Sequence, residues 1–300
     1  MSGYDFALIE RDFYQHGYVT DTSVATALRL VLCLGKPLLV EGPAGVGKTE
    51  IAKTLSRVLH TRLIRLQCYE GMDSQSALYE WNYQKQLIRI KLGEDSGRTA
   101  EEREEEIFGT DFLLKRPILE ALTDENRAPV LLIDEIDRAD ESFEAFLLEA
   151  LAEFQVTIPE LGTIRAVHRP YVILTSNRTR ELSDALRRRC LYQWLAYPDM
   201  QKEAEILRVR LPDISQRLVE QISLMMANLR ALPLQKVPGV AESLDWAQAL
   251  IQLHRSELDP SVVQATMGCF IKDRDDWETV EEQLRSGRLL VDDVHTDPLR

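Results

Sequence analysis

The sequence predicts an α/β fold, with a parallel sheet in residues 1–196 and a smaller all-helical region in residues 197–300. Three observations predict it. Short runs at 62–68, 130–135, 171–177 and 190–195 are separated by segments of helical periodicity, and the continuous apolar ones read as strands buried on both faces. A further apolar run, Pro37-Leu38-Leu39-Val40-Glu41, leads into Gly42-Pro43-Ala44-Gly45-Val46-Gly47-Lys48-Thr49, a glycine-rich turn that opens a helix. Beyond Tyr197-Pro198-Asp199 the character changes: only helical patterns follow, punctuated by Pro212, Pro233 and Pro238.

Taken in order, residues 5–17 form a short helix. Thr20, Asp21 and Thr22 offer an N-cap to an apolar helix over 23–34, which Gly35 ends. After the glycine-rich turn, a helix over 50–59 sets Ile51, Leu55, Val58 and Leu59 on one face. Residues 69–81 read as short and helical, with Asp73 and Ser74 as caps. Residues 83–91 alternate weakly and read as a strand or hairpin. Residues 94–106 carry seven acidic side chains against Arg98 and Arg103; they fit a solvated loop running into a surface helix, or an acidic contact surface for a basic partner. Residues 112–122 read as a helix broken softly at Pro117, and 141–154 as a helix with Phe143, Phe146, Leu147, Ala150 and Leu151 at core spacing. A hairpin over 155–168 has Gly162 near its tip, and a short helix covers 182–189. The later helices fall at 200–210, 213–231, 241–253, 261–270 and 275–284.

The turn at 42–49 fits G-x-x-x-x-G-K-[ST], the spelling of a phosphate-binding loop. Its glycines let backbone N–H groups turn inward around phosphates, and the helix that follows adds its positive end. Lys48 then reaches the β- and γ-phosphates, and the Thr49 hydroxyl holds Mg²⁺. The run 130–135 ends in Asp134 and Glu135. A carboxylate at the end of such a strand holds Mg²⁺ through water, and the next one polarises the attacking water. The expected cofactors are therefore ATP and Mg²⁺, and Glu135 favours hydrolysis over passive binding. Asn177, at the end of the next apolar strand, fits either a γ-phosphate or water-positioning role or a turn cap. Arg187, Arg188 and Arg189 close a short helix, where cations suit the helix dipole; one of them can instead reach a nucleotide on a neighbouring subunit, Arg189 first and Arg188 next.

Bulk properties narrow the class. A chain of 300 residues with 45% hydrophobic and 28% charged residues has the composition of a globular protein with one large or two modest domains. The net charge of −13 disfavours nucleic acid as a partner, because phosphate backbones reward clustered Lys and Arg. Cys33, Cys68, Cys190 and Cys269 are far apart and never in a C-x-x-C pair, the pattern of free thiols in a reducing cytoplasm and not of a zinc or iron–sulfur site. The start lacks the basic region and apolar run of a signal peptide, and no apolar run is long enough to span a bilayer.

The set GPAGVGKT, LLIDEID, LTSNR and ALRRR, in this order and spacing, resembles an AAA+ ATPase. The helix before the loop, the region of Glu70 to Asp73 and the hairpin before Asn177 are similar to the helix-2-insert clade and, within it, to MoxR-type ATPases. The wording of residues 67–73 and 78–83 is similar to CoxD-like members, found with carbon monoxide dehydrogenase and related molybdenum hydroxylases. The resemblance implies a sheet of order 5-1-4-3-2, a helical lid domain, and a homo-oligomeric ring, a hexamer, that matures or remodels a protein client with a von Willebrand A domain partner. It also implies a sensor arginine near the start of a late lid helix, yet residues 238–243 contain none. Tyr79, Trp81 and Tyr83 fit a substrate-gripping element or local packing; the 155–168 hairpin fits a pore lining or a surface ornament; Tyr18 and Val19 fit an adenine flank or a staple. Two other functions stay open at this level: a nucleic-acid motor, against which the net charge speaks, and a nucleotide-gated scaffold without productive hydrolysis, against which Glu135 and Asn177 speak.

Overall fold

A computed structural model of the protein describes residues 6–92, 99 and 107–290. Nearly all of the acidic stretch at 94–106 lies outside the described residues.

Five parallel strands form the main sheet: β1 (Leu38–Glu41), β2 (Leu63–Gln67), β3 (Val130–Asp134), β4 (Tyr171–Ser176) and β5 (Leu191–Trp194). Side by side they run β2-β3-β4-β1-β5, which is the expected 5-1-4-3-2 once the strands of two small ribbons are left out of the numbering. Leu39 faces Leu174 on one side and Tyr192 on the other, and Leu132 faces Ile173. The burial follows position. β1 and β3 are buried at every residue, whereas the edge strands β2 and β5 alternate, with Ile64 and Leu66 buried and Tyr192 and Trp194 exposed. Because all five strands run parallel, Glu41, Gln67, Asp134, Ser176 and Trp194 end at one edge of the sheet.

Three segments differ from their sequence reading. Residues 83–91, read as a strand or hairpin, lie in a helix, Tyr83–Leu92. The Asn82 side chain accepts from Lys85 N at 3.0 Å, capping its first turn, and the buried Gln86 donates to Ile107 O. Leu87, Ile88, Ile90 and Leu92 are all exposed, so the weak alternation marks no buried face. Residues 79–81, read as the end of a helix, form a strand instead, Tyr79–Trp81, antiparallel to Leu113–Lys115. Correspondingly, 112–122 is not one helix: Pro117 opens the helix Pro117–Leu122 instead of breaking a longer one, since its missing N–H and fixed φ suit a first helical position. The hairpin is present as Gln155–Ile158 paired with Gly162–Arg165, and Gly162 has a positive φ at its turn.

By packing, Thr22–Glu41 and Ile51–Trp194 belong to one compact unit, and Glu10–Asp21, Gly42–Glu50 and the described residues from Leu195 onward to another. The first unit has a continuous apolar core from Leu39, Ile64 and Leu66 through Phe143 and Leu147 to Leu174 and Leu186. In the second, helices Met200–Arg210, Gln216–Ala231, Val240–Gln252, Pro260–Thr266 and Arg274–Arg285 enclose Trp246, Phe270, Met225 and Met226. The Trp246 indole N–H, buried with its ring 4.4 Å from Phe270, donates to Thr266 Oγ1 at 2.8 Å. Among the described residues no helix is long and apolar enough to cross a membrane.

Candidate functional site

The phosphate-loop sequence leaves β1 at Glu41 and enters helix Lys48–Val58 at Lys48. Gly45 and Gly47 have φ of 75° and 94°, the left-handed backbone that turns successive N–H groups to one side. Lys48 is buried, and its Nζ donates to the carbonyls of Gly42 and Pro43, each at 2.7 Å, so the lysine spans the turn it belongs to. Gly42 is packed so closely that a Cβ there would stand 2.2 Å from Leu195 O. Val46 is buried, Ala44 is exposed, and Thr49 lies in the first turn of the helix, one residue before Glu50, which pairs with Arg210 at 3.3 Å. Tyr18 packs beside Gly47 and edge-on to Phe13; burial, then the charges of Asp21 and Glu50, hold its phenol well above the ordinary range.

The same loop meets the segment in which no sensor arginine stands. Ala241 N donates to Gly45 O at 3.2 Å, and a Cβ on Gly239 would lie 2.8 Å from Gly45 Cα. Gly239 caps helix Val240–Gln252, with the Glu242 carboxylate accepting from Gly239 N at 2.9 Å. This is contact of backbone on backbone, available only where both residues are glycine. The arginine of this region is Arg230, partly buried and tied to Glu203 at 2.5 Å, to Pro238 O and to the face of Tyr197.

At the sheet edge Asp134 is 3% exposed. Its Oδ1 accepts from Thr175 Oγ1 at 2.5 Å, and its Oδ2 accepts from Arg65 at 2.6 and 3.1 Å. Thr175 Oγ1 in turn accepts from Glu135 N at 2.9 Å. Glu135 sits in left-handed backbone, φ 55°, which turns the chain sharply out of β3; its carboxylate is partly exposed and faces Arg138 at 3.2 Å. Asp137, buried two residues on, accepts at Oδ2 from the N–H groups of Asn177 and Thr179 and from the Thr179 hydroxyl, at 3.2, 2.9 and 2.7 Å. A single carboxylate thus pins the turn after β4 to the turn after β3, and so positions Asn177 beside Asp134 and Glu135.

Helix Asp184–Arg189 starts at Ser183, whose backbone N–H donates to the buried Glu144. Arg187 leans 3.8 Å from Glu41 and over the Tyr192 ring; Arg178, directly after Asn177, reaches Glu41 at 3.7 Å, and the Tyr192 hydroxyl donates to it at 3.0 Å. Arg188 and Arg189 are exposed, and no partner is found for either among the described residues.

Of the predicted residues, the structure therefore groups Asp134, Glu135 and Asn177, shapes 42–49 as a closed turn, and leaves Arg188 and Arg189 at the surface. Arg65, Asp137, Thr175, Glu41 and Gly239 were missed. A polar residue inside an apolar strand, Thr175, and a second acid after Asp-Glu, Asp137, were the available signals. The residues present fit the groups expected: the turn's glycine backbone and buried lysine suit the phosphates of a nucleotide, and the carboxylate of Asp134 at the end of β3 suits a metal held partly through water.

A family profile, the AAA domain of the dynein-related subfamily, matches residues 37–190. An uncharacterized protein of Staphylococcus aureus (strain USA300) is 26% identical over 246 residues, 80% of this chain and 84% of that one. One of Staphylococcus haemolyticus (strain JCSC1435) is 26% identical over 241 residues, 78% and 82% of the two chains. Among solved structures, two point mutants of Thermotoga maritima RuvB share the fold: one superposes with TM-score 0.51 at 17% identity over 91% of this chain and 80% of its own, the other with 0.50 at 19% over 87% and 72%. With its loop, acidic strand end and five-strand order, the chain belongs to the AAA domain family, dynein-related subfamily, and is an ATP-hydrolysing enzyme.

Proposed function

We propose that the protein is a Mg²⁺-dependent ATPase acting as a homo-oligomeric ring, a hexamer, in the cytoplasm, where it remodels or matures a protein client. The observation that carries the ring is the arginine pair: Arg188 and Arg189 stand exposed at the end of a helix whose third arginine, Arg187, is held at Glu41. In this reading residues 42–49 cradle the phosphates, Lys48 reaches the β- and γ-phosphates, and Thr49 and, through water, Asp134 hold Mg²⁺. Bound there, the metal would offset the negative charge of the phosphate oxygens. Glu135 takes a proton from the attacking water, Asn177 orients that water, and Arg189, with Arg188 second, reaches a neighbour's nucleotide. Residues 197–300 serve as the lid. The wording of residues 67–73 and 78–83 supports a molybdenum hydroxylase such as carbon monoxide dehydrogenase as client, with a von Willebrand A domain protein as partner.

Glu135→Gln should lower ATP turnover by about a hundredfold or more with ATP binding retained; an unchanged rate removes Glu135 as the base. Arg189→Ala should lower turnover by about a thousandfold, also with binding retained, and mixing it with Glu135→Gln subunits should restore part of the activity. Normal turnover of Arg189→Ala, or mixtures with no recovery, would remove the shared site. Capture from the native host with the Glu135→Gln protein and ATP tests the client: the hydroxylase and its partner should be retained.

A further inference from the structure

Outside the phosphate site, a cavity of about 710 Å³ opens between the outer edge of β2, the strand Tyr79–Trp81 and the tip of the 155–165 hairpin. Its walls carry Tyr69, Tyr79 and Tyr83 around the buried Trp81. Tyr69 and Tyr83 are 48% and 63% exposed, so their rings are presented to an occupant instead of being spent on the core. Tyr79 stands edge-on to Trp81 at 5.9 Å, which holds that wall rigid.

The charges of the cavity do not balance. Arg116 is matched by Glu80, and Arg65 by Asp134. Among the described residues two acids of the cavity have no basic partner, Asp73 and Glu160. Asp73 is held ionised below the ordinary carboxylate range by the side-chain and backbone hydrogen bonds of Ser76, and Glu160 is close enough to raise the Tyr79 phenol, although burial raises it more. Exposed tyrosine rings joined to surplus carboxylate make a receptor for a cation. We propose that this cavity binds a basic side chain, arginine or lysine, of an extended peptide segment. The aliphatic stem would lie against the tyrosine rings, and the charged head would face Glu160 and Asp73. A carboxylate-bearing segment is disfavoured because both arginines of the cavity already have acidic partners. The inference deepens the protein-client reading and rests on it, by giving the chemistry of the client segment.

The test is fluorescence anisotropy on the full chain with a short labelled alanine-glycine peptide carrying one central arginine. The same peptide with citrulline, which keeps the shape and loses the charge, should bind about tenfold more weakly, and one with glutamate weaker still. Tyr83→Ala and Glu160→Gln, both at exposed positions, should each weaken arginine-peptide binding about fivefold or more and leave peptide-free ATP turnover unchanged. Raised salt should weaken binding of the arginine peptide and not of the citrulline one. Equal affinity for arginine and citrulline peptides overturns the proposal, as does tighter binding of the glutamate peptide or indifference to both substitutions. Intact arginine-peptide selectivity in a protein whose Glu135→Gln capture retains no client would instead count against the client reading alone, so the two failures are separable.

Discussion

The phosphate loop and the acidic turn after β3 are built by opposite means. The loop is held by shape. Gly42 lies against Leu195 O, Gly45 against Gly239, and the one prominent side chain, Lys48, closes on the loop's own carbonyls. The turn is held by side-chain hydrogen bonds: Arg65 and Thr175 on Asp134, Thr175 on Glu135 N, and Asp137 on the chain at Asn177 and Thr179. The difference teaches which substitutions each region can absorb. A region fixed by close backbone approach fails by added volume, and one fixed by polar contacts fails by lost acceptors.

The largest effect on stability should come from Gly42→Ala, where the new methyl meets backbone that cannot step aside; a loss of about 3 kcal/mol is expected in urea unfolding. Gly42→Ser should be no better, because the penalty is steric. Asp137→Ala should cost about 2 kcal/mol by orphaning two backbone N–H groups and a hydroxyl. Here Asp137→Asn should recover part of the loss, since its amide oxygen still accepts. If Gly42→Ser rescues Gly42→Ala, or Asp137→Asn is no better than Asp137→Ala, the contrast between the regions breaks. The smallest effect is chemical. Cys68 lies under the acidic turn, and burial, then the charges of Asp134, Asp137 and Glu135, push its thiol up to about 12; burial alone pushes Cys190 to about 12. Alkylation needs the thiolate, so at about pH 8 iodoacetamide should label the exposed Cys33 and spare Cys68 and Cys190 until the protein unfolds. Mass spectrometry of the labelled protein reads this, and faster labelling of Cys68 in Asp137→Ala would show that the turn has loosened.

This contrast also explains what could be read from the sequence. The loop, Asp134, Glu135 and Asn177 stand out because phosphate and metal chemistry restrict residue type at fixed spacing, and β1, β3 and β4 stand out as apolar runs bounded by turns. Arg65, Thr175 and Asp137 do not stand out, because a hydrogen bond between strands far apart in sequence leaves no periodic mark. The segment at 79–92 departs from its sequence reading for a related reason. Its helix has an exposed apolar face and its strand only three residues, so neither shows the burial pattern from which such elements are inferred. Pro117 looked like an interruption because its position relative to the helix start is not visible until the start is known.

The meeting of Gly45 with Gly239 bears on how the molecule can be taken apart. By chain order, a fragment ending at residue 196 would hold all five strands and the complete phosphate-loop motif. It would nonetheless lack Gly239, Ala241 and Glu242, the groups that seat Gly45. Modularity here follows contacts and not sequence: dissection at the apparent boundary would leave the motif intact as text and unsupported as an object.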